Sequence, residues 1–119
     1  MKWNHLFKAK LNWFSNDKAV NPIGKSYTKS HTIAIEEKMI INVSAAKAFK
    51  GDPHLYNPED LLLSSIVSCH MMSYLYVCGQ AGIEVISYTD EAEATLEVAG
   101  DGGGRFTEVR LYPIVTIRQ

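Results

Sequence analysis

The chain has 119 residues, 46% hydrophobic and 21% charged, with twelve basic against thirteen acidic side chains and a formal charge of −1. That length suits one domain, residues 1–119, and the composition is that of a soluble globular protein. No basic excess points to nucleic acid or to an anionic membrane, and two cysteines are too few for a secreted disulfide scaffold.

At the N-terminus Lys2, His5, Lys8 and Lys10 interrupt the apolar residues, so there is no continuous signal-peptide core. A reducing, cytoplasmic setting is expected, and it keeps a thiol available. Phe7, Ala9, Leu11 and Trp13 alternate with Lys8, Lys10 and Asn12, a period of two that predicts a half-buried strand. Asn21-Pro22-Ile23-Gly24 punctuates the loop that follows. Residues 32–36 and 39–43 read as two short strands joined by a charged turn at Glu37-Lys38.

The next start signal is the sharpest in the chain. Asn57 is a favoured N-cap, Pro58 suits the first helical position, and Glu59 and Asp60 face the positive end of the helix dipole. Apolar and small residues cover most of the circumference down to Ala81, which predicts a helix buried on several sides. Gly82 is a natural left-handed stop, with Gly79 as an earlier alternative. Residues 61–77 form the most hydrophobic stretch, but Ser64, Ser65, Ser68, His70 and Ser73 break it, which favours a buried helix over a membrane span.

Beyond the helix, Ala92, Leu96 and Val98 alternate with glutamates in a strand, and Asp101-Gly102-Gly103-Gly104 makes a turn. Val109, Leu111, Val115 and Ile117 alternate in a second strand, where Pro113 predicts an edge position or a bulge. The order β-β-β-α-β-β gives an α+β fold, a long central helix on an antiparallel sheet. The chain stops while still in a strand, so either a partner subunit completes the core or a C-terminal element is missing.

The chemistry centres on Cys69, in the middle of the helix. A reactive cysteine works as its thiolate, so a cation or hydrogen-bond donor has to approach from another element. Glu59 lies ten residues earlier, roughly 15 Å along the same helix. For both to serve one site, Glu59 of one chain has to meet Cys69 of a two-fold partner. The plainer readings are a Cys69 that fills space as a small hydrophobe and a Glu59 that steadies the dipole.

His70 is one step from Cys69, about 100° round the helix, and points elsewhere. Met71 and Met72 read as core. Cys78 lies nine residues beyond Cys69, roughly 13.5 Å away and near the opposite face, which excludes a disulfide within the helix. The histidines and cysteines show no metal-ligand spacing, and no phosphate-cradling glycine loop precedes a helix.

Ser44-Ala45-Ala46, Phe49-Lys50-Gly51-Asp52, Asn57-Pro58-Glu59-Asp60-Leu61-Leu62-Leu63 and Ser68-Cys69-His70-Met71 together resemble the OsmC/Ohr family, the osmotically inducible and organic hydroperoxide resistance proteins. The likeness runs from about residue 31 to 117. It implies an OsmC-like fold, an intertwined homodimer with sites at the subunit interface, and a role in oxidative stress. It also implies reduction of small organic hydroperoxides by a peroxidatic cysteine, at the expense of an external thiol or dithiol, with no metal, haem or flavin cofactor.

Cys69 falls at the position of that cysteine. Glu59 falls at the glutamate that holds an arginine near the thiolate. The family's arginine comes from the N-terminal region, whereas the first arginine here is Arg105, which leaves Lys18, Lys25 or Lys29 as candidate point charges. The family's second cysteine lies on a later helix, beyond residue 119. The competing reading is a non-catalytic OsmC-like module that binds a small hydrophobic ligand in the same interface pocket.

Overall fold

A computed structural model describes residues 2–15 and 27–119. The loop punctuated at 21–24, and with it Lys18 and Lys25, lies outside the described residues. The chain divides into two compact units, residues 1–60 and 61–119.

The first unit holds a three-stranded antiparallel sheet of β1 (Lys10–Asn12), β2 (His31–Ala34) and β3 (Ile41–Val43), in that spatial order. All three strands are shorter than their alternating patterns predict. Leu11 sits opposite Ile33, and Ile33 opposite Ile41, so one face carries an apolar row across the sheet. The charged turn between β2 and β3 falls where expected. Glu37 takes a left-handed conformation with φ of 68°, and the Lys38 amide donates to the Ile35 carbonyl at 3.0 Å.

The connection after β3 is tightly built. Val43 is fully buried and bridges to Tyr56, while the Ser44 amide donates to the Tyr56 carbonyl at 2.8 Å. The buried Ser44 hydroxyl accepts the Asp52 amide at 3.0 Å. Between them a 3-10 turn, Lys47–Phe49, ends at Lys50, a non-glycine residue held at φ of 61°. Gly51 then passes so close to Ala45 that any Cβ there would overlap the Ala45 carbonyl.

Helix α1 (Pro58–Gln80) starts on the predicted cap. The Asn57 side chain accepts the Asp60 amide at 2.8 Å, and the Asp60 carboxylate accepts the Asn57 amide at 3.3 Å. This is a reciprocal capping box with Asp in place of the usual Glu. The stop is equally specific. Gly82 adopts φ of 73°, the Ile83 amide donates to the Cys78 carbonyl at 2.9 Å, and the Gly82 amide donates to the Gly79 carbonyl at 3.2 Å, which is a Schellman motif.

The second unit also holds four strands: β4 (Val85–Asp90), β5 (Glu93–Val98), β6 (Gly104–Arg110) and β7 (Pro113–Ile117). β4 pairs with β7, and β5 with β6. Asp90 sits opposite Pro113 and Glu93 opposite Arg110, so one register runs through both pairs and the four strands form a single long ribbon. The ladder lapses at residues 91–92 and 111–112. Pro113 has no N–H to contribute, and the Tyr112 amide donates to the Asp90 carboxylate at 2.9 Å instead of to the ladder.

The ribbon divides cleanly by face. Tyr88 with Val115, Ala94 with Val109, and Leu96 with Phe106 are half-buried pairs on one side. Glu93 with Arg110 and Glu97 with Arg105 occupy the other. The expected order is thus corrected to β-β-β-α-β-β-β-β. β4 is a strand the sequence reading passed over, and the last predicted strand is two strands parted at Pro113.

The expected burial of the helix is also corrected. Cys78 is its one buried residue, and among the described residues only Val43, Ser44 and Cys78 are buried at all. Leu62, Met72 and Tyr76 are 51%, 56% and 69% exposed. The helix carries an apolar surface that the described residues of its own unit do not cover.

Two substitutions test these local structures. Gly51→Ala is expected to destabilise the chain by about 1–3 kcal/mol, because the added methyl has to displace main chain. Asn57→Ala is expected to cost about 1 kcal/mol through loss of the cap. Urea unfolding followed by circular dichroism measures both.

Candidate functional site

Helix periodicity sets out the site. Residues at steps of three, four and seven share a face, so Leu62, Ser65, Cys69, Met72 and Tyr76 form one stripe. Leu62, Met72 and Tyr76 make most of that stripe apolar, and Cys69 lies near its centre as a free, exposed thiol. The Ser65 hydroxyl is turned back onto the helix, donating to the Leu62 carbonyl at 2.7 Å. That bond leaves the stripe less polar than its sequence suggests.

Glu59 is half-buried in the first turn. The helix carries Glu59 and Cys69 about 15 Å apart along its axis, and does not bring them together. His70 is exposed and lies about 100° round from the thiol.

Cys78 is the counterpart of Cys69 in every respect. Nine residues advance the helix by two and a half turns, so Cys78 faces the opposite way, and it is 6% exposed. It sits beside Tyr74 one turn earlier, whose ring packs at 5.7 Å and 56° on the ring of Tyr88 in β4. A hydrogen bond with the Cys78 side chain raises the Tyr74 pKa above 10.0, with the charge of the Cys78 thiolate, burial and Tyr88 adding to it. This is the side of the helix that belongs to its own unit. The sequence reading missed the contact because it missed β4.

The cations are mostly committed elsewhere. Arg110 bonds Glu108 at 3.0 Å, Glu93 at 3.4 Å and the Thr95 hydroxyl at 3.0 Å. Its pKa is raised first by the Glu108 hydrogen bond, against a smaller lowering by burial. Arg118 pairs with Glu84 at 2.9 Å.

Of the three candidate lysines, only Lys29 is among the described residues. It is half-buried, and its ammonium donates to the Phe49 carbonyl. Lys29 therefore braces the 3-10 turn next to Lys50. The left-handed Lys50 escaped the sequence reading, although a Lys-Gly pair closing a short turn is a signal for such a conformation. Among the described residues, no group of three His, Cys, Asp or Glu side chains is placed to hold a metal ion.

The chain thus presents an exposed cysteine on an apolar helix face, in an α+β chain with two-stranded and three-stranded antiparallel sheets. The family described as OsmC-like protein matches residues 51–119, more than half of the sequence, and takes in Glu59, Cys69 and the whole ribbon. The chain belongs to the OsmC-like family. A solved structure of an OsmC-like protein of unknown function from Vibrio cholerae is similar, with a TM-score of 0.83 and 25% identity over 98% of this chain and 77% of that one. No curated protein matches the chain.

The Tyr74 arrangement has a pH signature. A raised tyrosine pKa means that the folded state holds the proton more tightly, so this contribution is complete below pH 10.0 and is lost as pH rises through the folded-state value. Cys78→Ala is expected to bring the Tyr74 titration back toward 10.0. Ultraviolet tyrosinate titration of the variant beside the parent measures the shift.

Proposed function

We propose that this chain is a thiol-dependent peroxidase that reduces organic hydroperoxides through Cys69, at the interface of an intertwined homodimer of single OsmC-like domains in the cytoplasm. The observation that carries the reading is the contrast between the two cysteines. Cys69 is a free, exposed thiol on a helix face that the described residues leave exposed, while Cys78 is buried against its own unit.

A second copy is the natural cover for that face. The stripe around Cys69 is apolar, and pairing two such helices removes both stripes from water at once. It also offers a route for Glu59 of one copy to approach Cys69 of the other, which the roughly 15 Å separation within one helix forbids. Family membership supports the fold and this placement of Cys69 and Glu59.

In the proposed reaction the Cys69 thiolate attacks the distal oxygen of the hydroperoxide. The O–O bond breaks, an S–O bond forms, and the alkoxide leaves with a proton as the alcohol. Glu59 orients a cation toward the thiolate. Of the expected lysines the described one, Lys29, has its ammonium on the Phe49 carbonyl and would have to leave it to take that role. The reading that competes is a non-catalytic module in which the stripe of Leu62, Met72 and Tyr76 lines a pocket for a small hydrophobic ligand.

Purified protein is expected to consume cumene hydroperoxide in the presence of dithiothreitol, and Cys69→Ser to abolish the turnover. Equal rates in the two proteins would leave only the binding module. Glu59→Gln is expected to lower kcat/KM by about tenfold, equivalent to ~1.4 kcal/mol of transition-state stabilisation. Sedimentation equilibrium is expected to give a dimer; a monomer at micromolar concentration would exclude the shared site.

A further inference from the structure

We infer that Asp101 is a site of spontaneous covalent change in the folded chain, where the Asp101–Gly102 linkage isomerises to isoaspartate and unlocks the hairpin between β5 and β6. The proposed peroxidase chemistry has no part in it. An aspartate isomerises when the main-chain nitrogen of the next residue attacks its carboxyl carbon. The next residue has to carry an N–H, its side chain must not block the approach, and the local backbone has to be free to turn.

Among the described residues four aspartates can be compared, and Asp101 alone meets all three conditions. Asp52 precedes Pro53, whose nitrogen has no hydrogen to lose. Asp60 stands in the first turn of α1, where its carboxylate accepts the Asn57 amide at 3.3 Å, and the bulky Leu61 follows it. Asp90 holds the Tyr112 amide at 2.9 Å, and its other carboxylate oxygen is buried. Asp101 is exposed at a loop tip and has glycine on both sides.

The turn brings the reacting groups together. β5 ends at Val98 and β6 begins opposite it at Gly104. The Ala99 amide donates to the Gly103 carbonyl at 2.7 Å, the Gly102 amide donates to the Ala99 carbonyl at 2.9 Å, and Gly102 takes φ of 91°. This is a three-residue hairpin loop with a left-handed residue in its last position. The Asp101 carboxylate is folded forward, accepting the Gly103 amide at 2.8 Å. That bond lays the side chain along the peptide whose nitrogen has to attack.

The bond from Gly102 to Ala99 opposes the attack, because the amide has to leave that carbonyl first. Little else restrains it. A Cβ placed on Gly100 or on Gly102 would meet no atom within 4 Å, so nothing among the described residues packs on the tip. Exposed loop tips open locally at small cost, and flanking glycines widen the range of backbone angles once they do.

In the reaction the Gly102 nitrogen bonds to the Asp101 carboxyl carbon, a C–O bond breaks, and water leaves to give a five-membered imide. Water then adds back to one of the two imide carbonyls. Opening on the side-chain carbonyl restores aspartate. Opening on the main-chain carbonyl routes the chain through the side-chain carbons and leaves isoaspartate. No atom is gained or lost overall, and no oxidant or cofactor is needed. The main chain is now one carbon longer at a loop whose length sets the pairing of Val98 with Gly104.

The test ages the folded 119-residue protein at neutral pH and physiological temperature, then cuts it at glutamate, which isolates residues 98–108. That peptide is expected to split into two forms of equal mass, the later-growing one accepting a methyl group from an isoaspartyl methyltransferase. Asp101→Glu, with unchanged circular dichroism, is expected to abolish the second form. In the aged protein the Ala99 amide is expected to exchange its hydrogen about tenfold faster in the isoaspartate form. A folded chain that stays unmodified while the same sequence isomerises in urea overturns the proposal, since the turn would then protect the bond. Methyl incorporation greater at Asp60 or Asp90 than at Asp101 overturns it too, as does unchanged exchange at Ala99.

Discussion

Apolar surface that a unit leaves open is the constraint from which the rest of this structure follows. Ordering each residue costs about 1–2 kcal/mol of conformational entropy, and burial of apolar side chains is the main term that offsets it. Here the first unit buries Val43 and Ser44, and the second buries Cys78. Everything else that is apolar on α1 faces outward or is only half covered. Local devices therefore carry much of the specification: a reciprocal cap at Asn57, a Schellman stop at Gly82, a locked connection at Gly51. They fix where elements begin and end, which burial within each unit does little to specify.

The same constraint explains which features could be read from sequence. Signals written in adjacent residues were legible. Asn57-Pro58-Glu59-Asp60 marked the helix start, Gly82 its stop and Glu37-Lys38 a turn, because each depends on backbone geometry within a few residues. Signals that depend on what an element packs against were not. Val85–Asp90 mixes Ile86 on the exposed side with Asp90 on the half-buried one, so its alternation is blurred and β4 went unread. The buried-helix expectation failed for a related reason: composition shows that a helix is apolar, and says nothing of what lies against it.

The site divides along the same line. The positions of Cys69 and Glu59 along α1 were legible because the helix fixes their spacing, and helix arithmetic alone separated Cys69 from Cys78. The Tyr74–Cys78–Tyr88 cluster was not, since it needs β4. Nor was the fate of the cations. Lys29 ends on the Phe49 carbonyl, and Arg110 and Arg118 end on carboxylates, through contacts spanning many residues of sequence. Charge in a sequence is a count, and only the fold turns it into a field at a particular sulfur atom.

The outward face of α1 also sets a limit on its own composition. With 23 residues and so apolar a sequence, the helix is long enough to cross a bilayer. Two solvents compete for it, lipid and the interior of a protein, and they differ chiefly in their tolerance of hydroxyl and imidazole groups. Ser64, Ser65, Ser68, His70 and Ser73 make the lipid choice the costlier one, while enough Leu, Ile, Val and Met remain for a protein surface to hold it. Each of these hydroxyls therefore widens the gap between the two solvents: exchanging two or three of the serines for alanine or leucine removes groups that hydrocarbon would leave unpaired, and narrows that gap.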